Sequence, residues 1–224
     1  MRLLRKSRGG INMTKKQGTS QWTGIKGRIF AWHLDNPLAR YPETLLLGDC
    51  RSTVQDEFSR LIRGNEVVLD IGAGTGRFSL AIAKQLSTGK VICLDLSEEM
   101  LQHLIRKAEK EGLKDRIQIL KGEASASGLE NESMDVVMSH SVFHELSSPE
   151  VVLAEMLRVL KPSGWVMITD FRDSRISRLI CRSHREESHG PFSVHELETL
   201  FTKAGLKNVK VSPVRHWVIG VGEK

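Results

Sequence analysis

Val67-Val68-Leu69-Asp70-Ile71-Gly72-Ala73-Gly74-Thr75-Gly76 is an apolar strand pattern that runs into a turn with glycine at alternate positions, and a helix pattern follows at once. Glycine is required where a backbone bends sharply or lets a ligand come within contact distance, because it has no Cβ. The spacing separates the ligands such a turn can serve. Dinucleotide-binding turns read G-x-G-x-x-G and rest a pyrophosphate on the helix N-terminus. This one reads G-x-G-x-G, with the acid Asp70 just ahead of the first glycine. A carboxylate there repels a pyrophosphate and suits a cationic ligand carrying an amino group. The structural alternative is a strand-to-helix turn that needs glycine only for tight packing.

Strand and helix patterns alternate on both sides of this turn. Upstream, a capping box at Ser52-x-x-Gln55 predicts a helix with Val54, Phe58, Leu61 and Ile62 on one face, ended by Gly64. Downstream of the first strand, Val67–Ile71, further strands are predicted at Val91–Asp95, Ile117–Leu120, Val136–Ser139 and Trp165–Thr169. Several are continuous apolar runs, as expected when helices cover both faces of a parallel sheet. Ser97-Glu98-Glu99 opens a helix with acids at its positive end, and Met100, Leu101, Leu104, Ile105 and Ala108 form its buried side. Ser148-Pro149-Glu150 opens another, with serine as cap, and Pro162 prevents its continuation. A capping box at Ser193-x-x-Glu196 starts a third, which stops at Gly205. Lys207–Val211 and His216–Val221 read as a closing antiparallel pair. This alternation predicts an α/β, doubly wound sheet. Ligands of such sheets bind beyond the carboxyl ends of the strands where the strand order reverses, which directs attention to the tip at Asp70 to Gly72.

Composition narrows the class. A chain of 224 residues with 40% hydrophobic content reads as one globular domain, and no apolar run has the length of a membrane span. Cys50, Cys93 and Cys181 lie far apart and form no C-x-x-C pair, which predicts reduced thiols in a cytoplasmic protein. The chain also lacks H-E-x-x-H and carboxylates clustered at ligand spacing, so no metal is expected. The net charge of +6 is unevenly spread. Arg2, Arg5, Lys6, Arg8, Lys15, Lys16, Lys26 and Arg28 all precede the first acid, Asp35, and a second basic cluster holds Arg172, Arg175, Arg178, Arg182 and Arg185. Such clusters attract nucleic acid or an anionic substrate, or they are simply a solvated tail and a loop. Residues 1–20 are expected to be a disordered basic tail and 21–224 a single domain. Its first segment, 21–50, holds Trp22, Phe30, Trp32 and Tyr41 without clean periodicity.

Asp70 to Gly76 resembles the first motif of class I S-adenosylmethionine-dependent methyltransferases. The likeness continues through Asp95, through Asp135-Val136-Val137 and through Leu157-Arg158-Val159-Leu160-Lys161-Pro162-Ser163-Gly164, so that it covers roughly residues 50 to 222. Among subfamilies the chain is similar to the ubiquinone- and menaquinone-biosynthesis-like (type 11) group, which methylates small molecules. The resemblance implies a Rossmann-like seven-stranded sheet of order 3-2-1-4-5-7-6 with the last strand antiparallel. It implies S-adenosylmethionine as cofactor, a small-molecule acceptor, and in-line transfer of the methyl group.

The same resemblance assigns roles. Asp70 holds the amino group of the methionyl part, and the backbone of Gly72, Ala73, Gly74 and Gly76 passes against the cofactor. Asp95 accepts from both ribose hydroxyls, a bidentate arrangement that neutral side chains reproduce poorly; alternatively it supports the helix starting near Ser97. Leu96 flanks the adenine. Glu123 stands where the family usually has an aspartate on the adenine amine, and its extra methylene shifts that carboxylate; Ala124 offers its backbone amide. Ser139 contacts the methionyl part through its carbonyl. His140 and His144, in the segment facing the methyl group, are the candidates for a general base or substrate anchor, since imidazole titrates near neutrality; a packed structural histidine is the alternative at both. Asp170, Arg172, Arg175, His184 and His189 fall on the acceptor side, where the arginines hold a carboxylate or phosphate of the substrate or simply belong to a solvated turn. His33, Asp35 and the early aromatics form a lid by position; as core residues of a packed N-terminal segment they need no ligand.

Three other readings use the same residues. The basic N-terminus prompts an RNA or protein methyltransferase, although Ser139 to Glu145 lacks the Asn/Asp-Pro-Pro-Tyr/Phe pattern of enzymes that methylate nucleic-acid amino groups. A nicotinamide-dependent oxidoreductase conflicts with the glycine spacing. A non-catalytic protein retaining the cofactor pocket uses identical binding residues.

Overall fold

The computed structural model describes residues 24–182 and 188–224. The expected disordered tail, Trp22, His184 and Arg185 lie outside the described residues. Two helices, α1 (Gly24–Asp35) and α2 (Pro37–Leu47), precede α3 (Arg51–Leu61). The alternating part follows as β1 (Val67–Ile71), α4 (Arg77–Ala83), β2 (Lys90–Asp95), α5 (Glu98–Lys110), β3 (Ile117–Lys121), β4 (Met134–His140), α6 (Pro149–Val159) and β5 (Leu160–Phe171). It closes with α7 (Arg175–Cys181), α8 (Val194–Lys203), β6 (Lys207–Val214) and β7 (Trp217–Glu223).

The seven strands form one sheet of order β3-β2-β1-β4-β5-β7-β6, as the resemblance implied. The first five run parallel, and β7 lies antiparallel to both β5 and β6. The continuous apolar runs are explained by two cores, one on each face. Along β1, Val68 packs into the layer that holds Phe58 of α3 and Phe78 and Leu80 of α4. Its neighbours Leu69 and Ile71 pack into the layer that holds Leu153 and Met156 of α6 and Leu197 and Phe201 of α8. Successive side chains point to opposite faces of a strand, so a strand covered on both faces reads as a run of apolar residues, interrupted here near the tips by Asp70 and Ser139.

Several local readings hold. Ser97 caps α5 by accepting the Met100 N–H at 3.3 Å, and Ser193 with Glu196 makes both bonds of a capping box on α8. Others need correction. The helix expected from Ser52 starts at Arg51 instead, because the Asp49 carboxylate already accepts the Arg51 N–H at 2.9 Å. Ser148 precedes α6 without a side-chain cap bond; Pro149 suits the first helical position because its fixed φ is already helical. The segment without periodicity forms α1 and α2. Its pattern is hard to read because α1 buries small residues, Gly27 and Ala31, and turns large ones outward.

Candidate cofactor and acceptor site

The turn after β1 is held open by left-handed backbone, with φ of +71° at Gly72 and +54° at Gly74. The N–H groups of Gly72 and Ala73 donate to the Leu94 carbonyl at 2.8 and 3.1 Å, tying the turn to the end of β2. The glycines have different reasons. A Cβ on Gly72 would lie 2.3 Å from Val142 Cγ2, and one on Gly76 2.5 Å from Leu104 Cγ, so both are demanded by packing. A Cβ on Gly74 would meet nothing nearer than the Gly72 carbonyl oxygen at 4.0 Å. Gly74 therefore borders open space, where a ligand can lie against bare backbone.

Two carboxylates stand at the tips of β1 and β2, the strands that this turn joins. Asp70, at the buried tip of β1, accepts from Ser79 Oγ of α4 at 2.5 Å. Burial pushes its carboxyl up to about 6, the Ser79 bond opposes this, and the negative charge of Asp95 adds to it. Asp95, ending β2, accepts the Gly74 N–H and the Ser97 N–H, each at 2.8 Å, one on each oxygen. Burial raises it as well, against the pull of those amides. A carboxylate oxygen has two lone pairs, so each Asp95 oxygen can accept again. Among the described residues no lysine, arginine or histidine forms an ion pair with either aspartate. The pair of carboxylates lacks a counter-charge and offers acceptors to hydroxyl groups. It fits a ligand carrying an ammonium group and a ribose.

The remaining candidates for cofactor contact spread outward from this pair. Leu96 follows Asp95 and is 37% exposed. Glu123 is exposed and Ala124 half-buried in the turn after β3. The Ser139 hydroxyl is buried and donates to the Ile71 carbonyl at 2.9 Å, locking β4 to β1 beside the turn. Asp35, at the end of α1, accepts from Thr75 Oγ1 at 2.7 Å and from Lys107 Nζ at 2.8 Å. The N-terminal helices are thus fastened directly to the glycine turn. The side chains of Trp32 and Tyr41 are mostly exposed.

The two histidines are separated. His140, at the tip of β4, stacks between Phe78 (ring centroids 4.1 Å apart) and Trp217 (5.1 Å). It borders a narrow cleft that Gly48, Asp49, Arg77, Phe78 and Trp217 also line. Trp217 Nε1 donates to the Gly48 carbonyl at 3.0 Å, which fixes the linker before α3 over this cleft. The Arg51 guanidinium beside Asp49 holds that carboxyl down at about 2. His144, in contrast, is buried, with Nδ1 2.7 Å from Asp170 Oδ1 and its ring against Phe171. Burial disfavours charge on both partners, yet their mutual attraction wins, raising His144 and lowering Asp170. Asp170 also accepts the N–H groups of Val142, His144 and Phe171. It is the hub that shapes the turn after β4. A roomier groove between α3, α4 and α5 borders Gly76 but none of the other candidates.

In the second basic cluster Arg178 pairs with Asp173. His189, an acceptor-side candidate, stacks on Phe192. Sequence reasoning missed Ser79, Phe78 and Trp217. Ser79 and Phe78 read as ordinary positions of a helix after the turn. Trp217 reaches the cleft only because β7 inserts beside β5, which brings it opposite Phe171.

The sheet order, the glycine turn and the two strand-tip carboxylates together define the class I methyltransferase architecture. A family profile described as a methyltransferase domain matches residues 62–208. The chain belongs to this family of class I, S-adenosylmethionine-dependent methyltransferases. It is 30% identical over 177 residues to a demethylmenaquinone methyltransferase of Bacillus cereus, covering 68% of this chain and 74% of that one. It is 31% identical over 112 residues to the malonyl-[acyl-carrier protein] O-methyltransferase of Methylococcus capsulatus, covering 50% of this chain and 40% of that enzyme. The chain thus spans less than half the length of several curated relatives that it matches. Among solved structures, a SAM-dependent methyltransferase from Aquifex aeolicus superimposes with a TM-score of 0.66 at 27% identity, covering 88% of this chain and 97% of that one.

Proposed function

We propose that this chain transfers a methyl group from S-adenosylmethionine to a small-molecule acceptor. One observation carries the reading: two carboxylates, Asp70 and Asp95, repel each other across a glycine turn whose middle glycine faces open space. Bound S-adenosylmethionine supplies a methyl group already activated by a sulfonium. Asp70 takes the amino group and Asp95 the ribose hydroxyls, while Gly72, Ala73, Gly74 and Gly76 present backbone. Leu96 and Ala124 flank the adenine, with Glu123 at its amine, and Ser139 offers its carbonyl to the methionyl part. The α1–α2 segment, held by Asp35 at Thr75, serves as the lid.

The acceptor enters the cleft beside His140. Phe78 and Trp217 give that cleft apolar walls that keep water from the reacting atoms, and orientation of the acceptor supplies much of the rate gain. His140 is placed to anchor the acceptor or to take a proton from it. His144 acts through the turn it holds with Asp170, as a positioning residue. The acceptor in the name of a relative, demethylmenaquinone, supports a small acceptor.

Isothermal titration with S-adenosylhomocysteine tests the cofactor site. Asp70→Ala and Asp95→Ala are each expected to weaken binding by about tenfold or more, the measure of a charge-assisted bond, with unchanged circular dichroism. Wild-type affinity in both folded variants would defeat the assignment. Incubation with methyl-labelled cofactor and a metabolite extract then identifies the acceptor by mass; label found only in RNA or protein would sink the small-molecule reading.

A further inference from the structure

The large residues that α1 and α2 turn outward are arranged as stripes. On α1, Ile25, Ile29 and Trp32 are 76%, 62% and 57% exposed, at the i, i+4, i+7 spacing of one helix face. On α2, Leu38, Tyr41 and Leu45 are 85%, 64% and 64% exposed, at i, i+3, i+7. Large apolar side chains exposed in stripes on two helices mark a surface that meets an apolar partner. The opposite face of α1, with buried Gly27 and Ala31, packs against the body of the protein, and the Glu99 carboxylate at the start of α5 accepts the Gly24 N–H at 2.6 Å. The stripes are the outer surface of a docked element.

Charge selects the partner. Exposed Lys26 and Arg28 flank the α1 stripe, one on each side. The one acid of α1, Asp35, is turned inward to Thr75 and Lys107. The residues leading into α1 add Arg2, Arg5, Lys6, Arg8, Lys15 and Lys16 and no acid. Among the described residues no helix is long and apolar enough to cross a membrane. We infer that α1 and α2 dock the protein on an anionic phospholipid bilayer, lying in its interface with Trp32 and Tyr41 at the headgroup boundary. A two-fold pairing with a second copy would instead bring the same basic residues of both chains toward one interface.

Co-sedimentation tests this with vesicles of phosphatidylcholine alone and of equal parts phosphatidylcholine and phosphatidylglycerol. The full chain is expected to bind the mixed vesicles roughly tenfold or more tightly than the neutral ones, and added salt to weaken that binding. Ile29→Asp with Trp32→Asp should lower binding to mixed vesicles by about tenfold or more, since both lose interfacial burial, with an unchanged thermal melt because both side chains are exposed. Lys26→Glu with Arg28→Glu should independently lower it by roughly tenfold or more. The inference is overturned by absent vesicle binding or by binding that the apolar substitutions leave intact. Self-association in sedimentation velocity, abolished by those substitutions without vesicle binding, would assign the face to a second copy and overturn it too. Equal affinity for soluble polyglutamate would assign it to an acidic protein, with the same consequence.

Discussion

Asp70 shows how burial turns an ordinary carboxylate into a conditional ligand. With its carboxyl pushed up to about 6 in the folded chain, it is half-protonated near that pH. A cationic ligand binds the ionised form, so cofactor affinity should fall as pH drops below about 6, and Asp70→Asn should flatten that dependence in titrations at several pH values. Stability moves the other way. The folded value is above the unfolded one, so the native state holds the extra proton between about 4 and 6. The protein should lose on the order of 3 kcal/mol of stability from this group as pH rises through that window, which Asp70→Asn should abolish in denaturant unfolding. His140 and His144 show why spacing alone misleads. Four residues apart, they would share one face of a helix, but Ser141 has φ of +57° and a 3₁₀ turn follows over Phe143–Glu145. One ring therefore opens on the cleft and the other is buried against Asp170.

The turn between β1 and α4 separates two uses of glycine that look identical in the sequence. Gly72→Ala should destabilise the protein by about 2 kcal/mol or more, from left-handed backbone strain and overpacking against Val142, seen as a lower melting temperature. Gly74→Ala meets open space, so it should cost only the left-handed conformational term, about 1 kcal/mol, while projecting a methyl group where the cofactor lies. Its melt should change little and its affinity for S-adenosylhomocysteine should drop; the reverse ranking of the two variants would contradict these assignments. Helix starts divide similarly. Ser193→Ala removes a working capping box and should cost about 1 kcal/mol. Ser52→Ala should cost a few tenths at most, because α3 already starts at Arg51.

Across the whole molecule, the His144–Asp170 pair joins the turn after β4 to the end of β5. Asp170→Asn leaves a buried imidazole without its counter-charge and should lower stability by roughly 3–5 kcal/mol in calorimetry. The signs of the two shifts define the pH behaviour. The contribution of His144 is lost as pH rises through its raised value, and that of Asp170 as pH falls through its lowered value. The pair should therefore stabilise most between those limits, and Asp170→Asn should remove both limbs of the dependence.

Much of this molecule was readable as one-dimensional pattern. The five parallel strands, the caps at Ser97 and Ser193, the glycine turn and the acids at two strand tips depend on contacts within a few residues or on strict periodicity, and such signals survive in a linear string. Sheet order came from family resemblance, because strand pairing is set by which crossovers pack and not by any local residue. The outward stripes of α1 and α2 were hidden since their buried faces are built from small residues that carry no hydrophobic signal. The cleft of His140, Phe78 and Trp217 could emerge only on folding: its walls come from distant stretches of chain, and nothing but the insertion of β7 beside β5 brings them together.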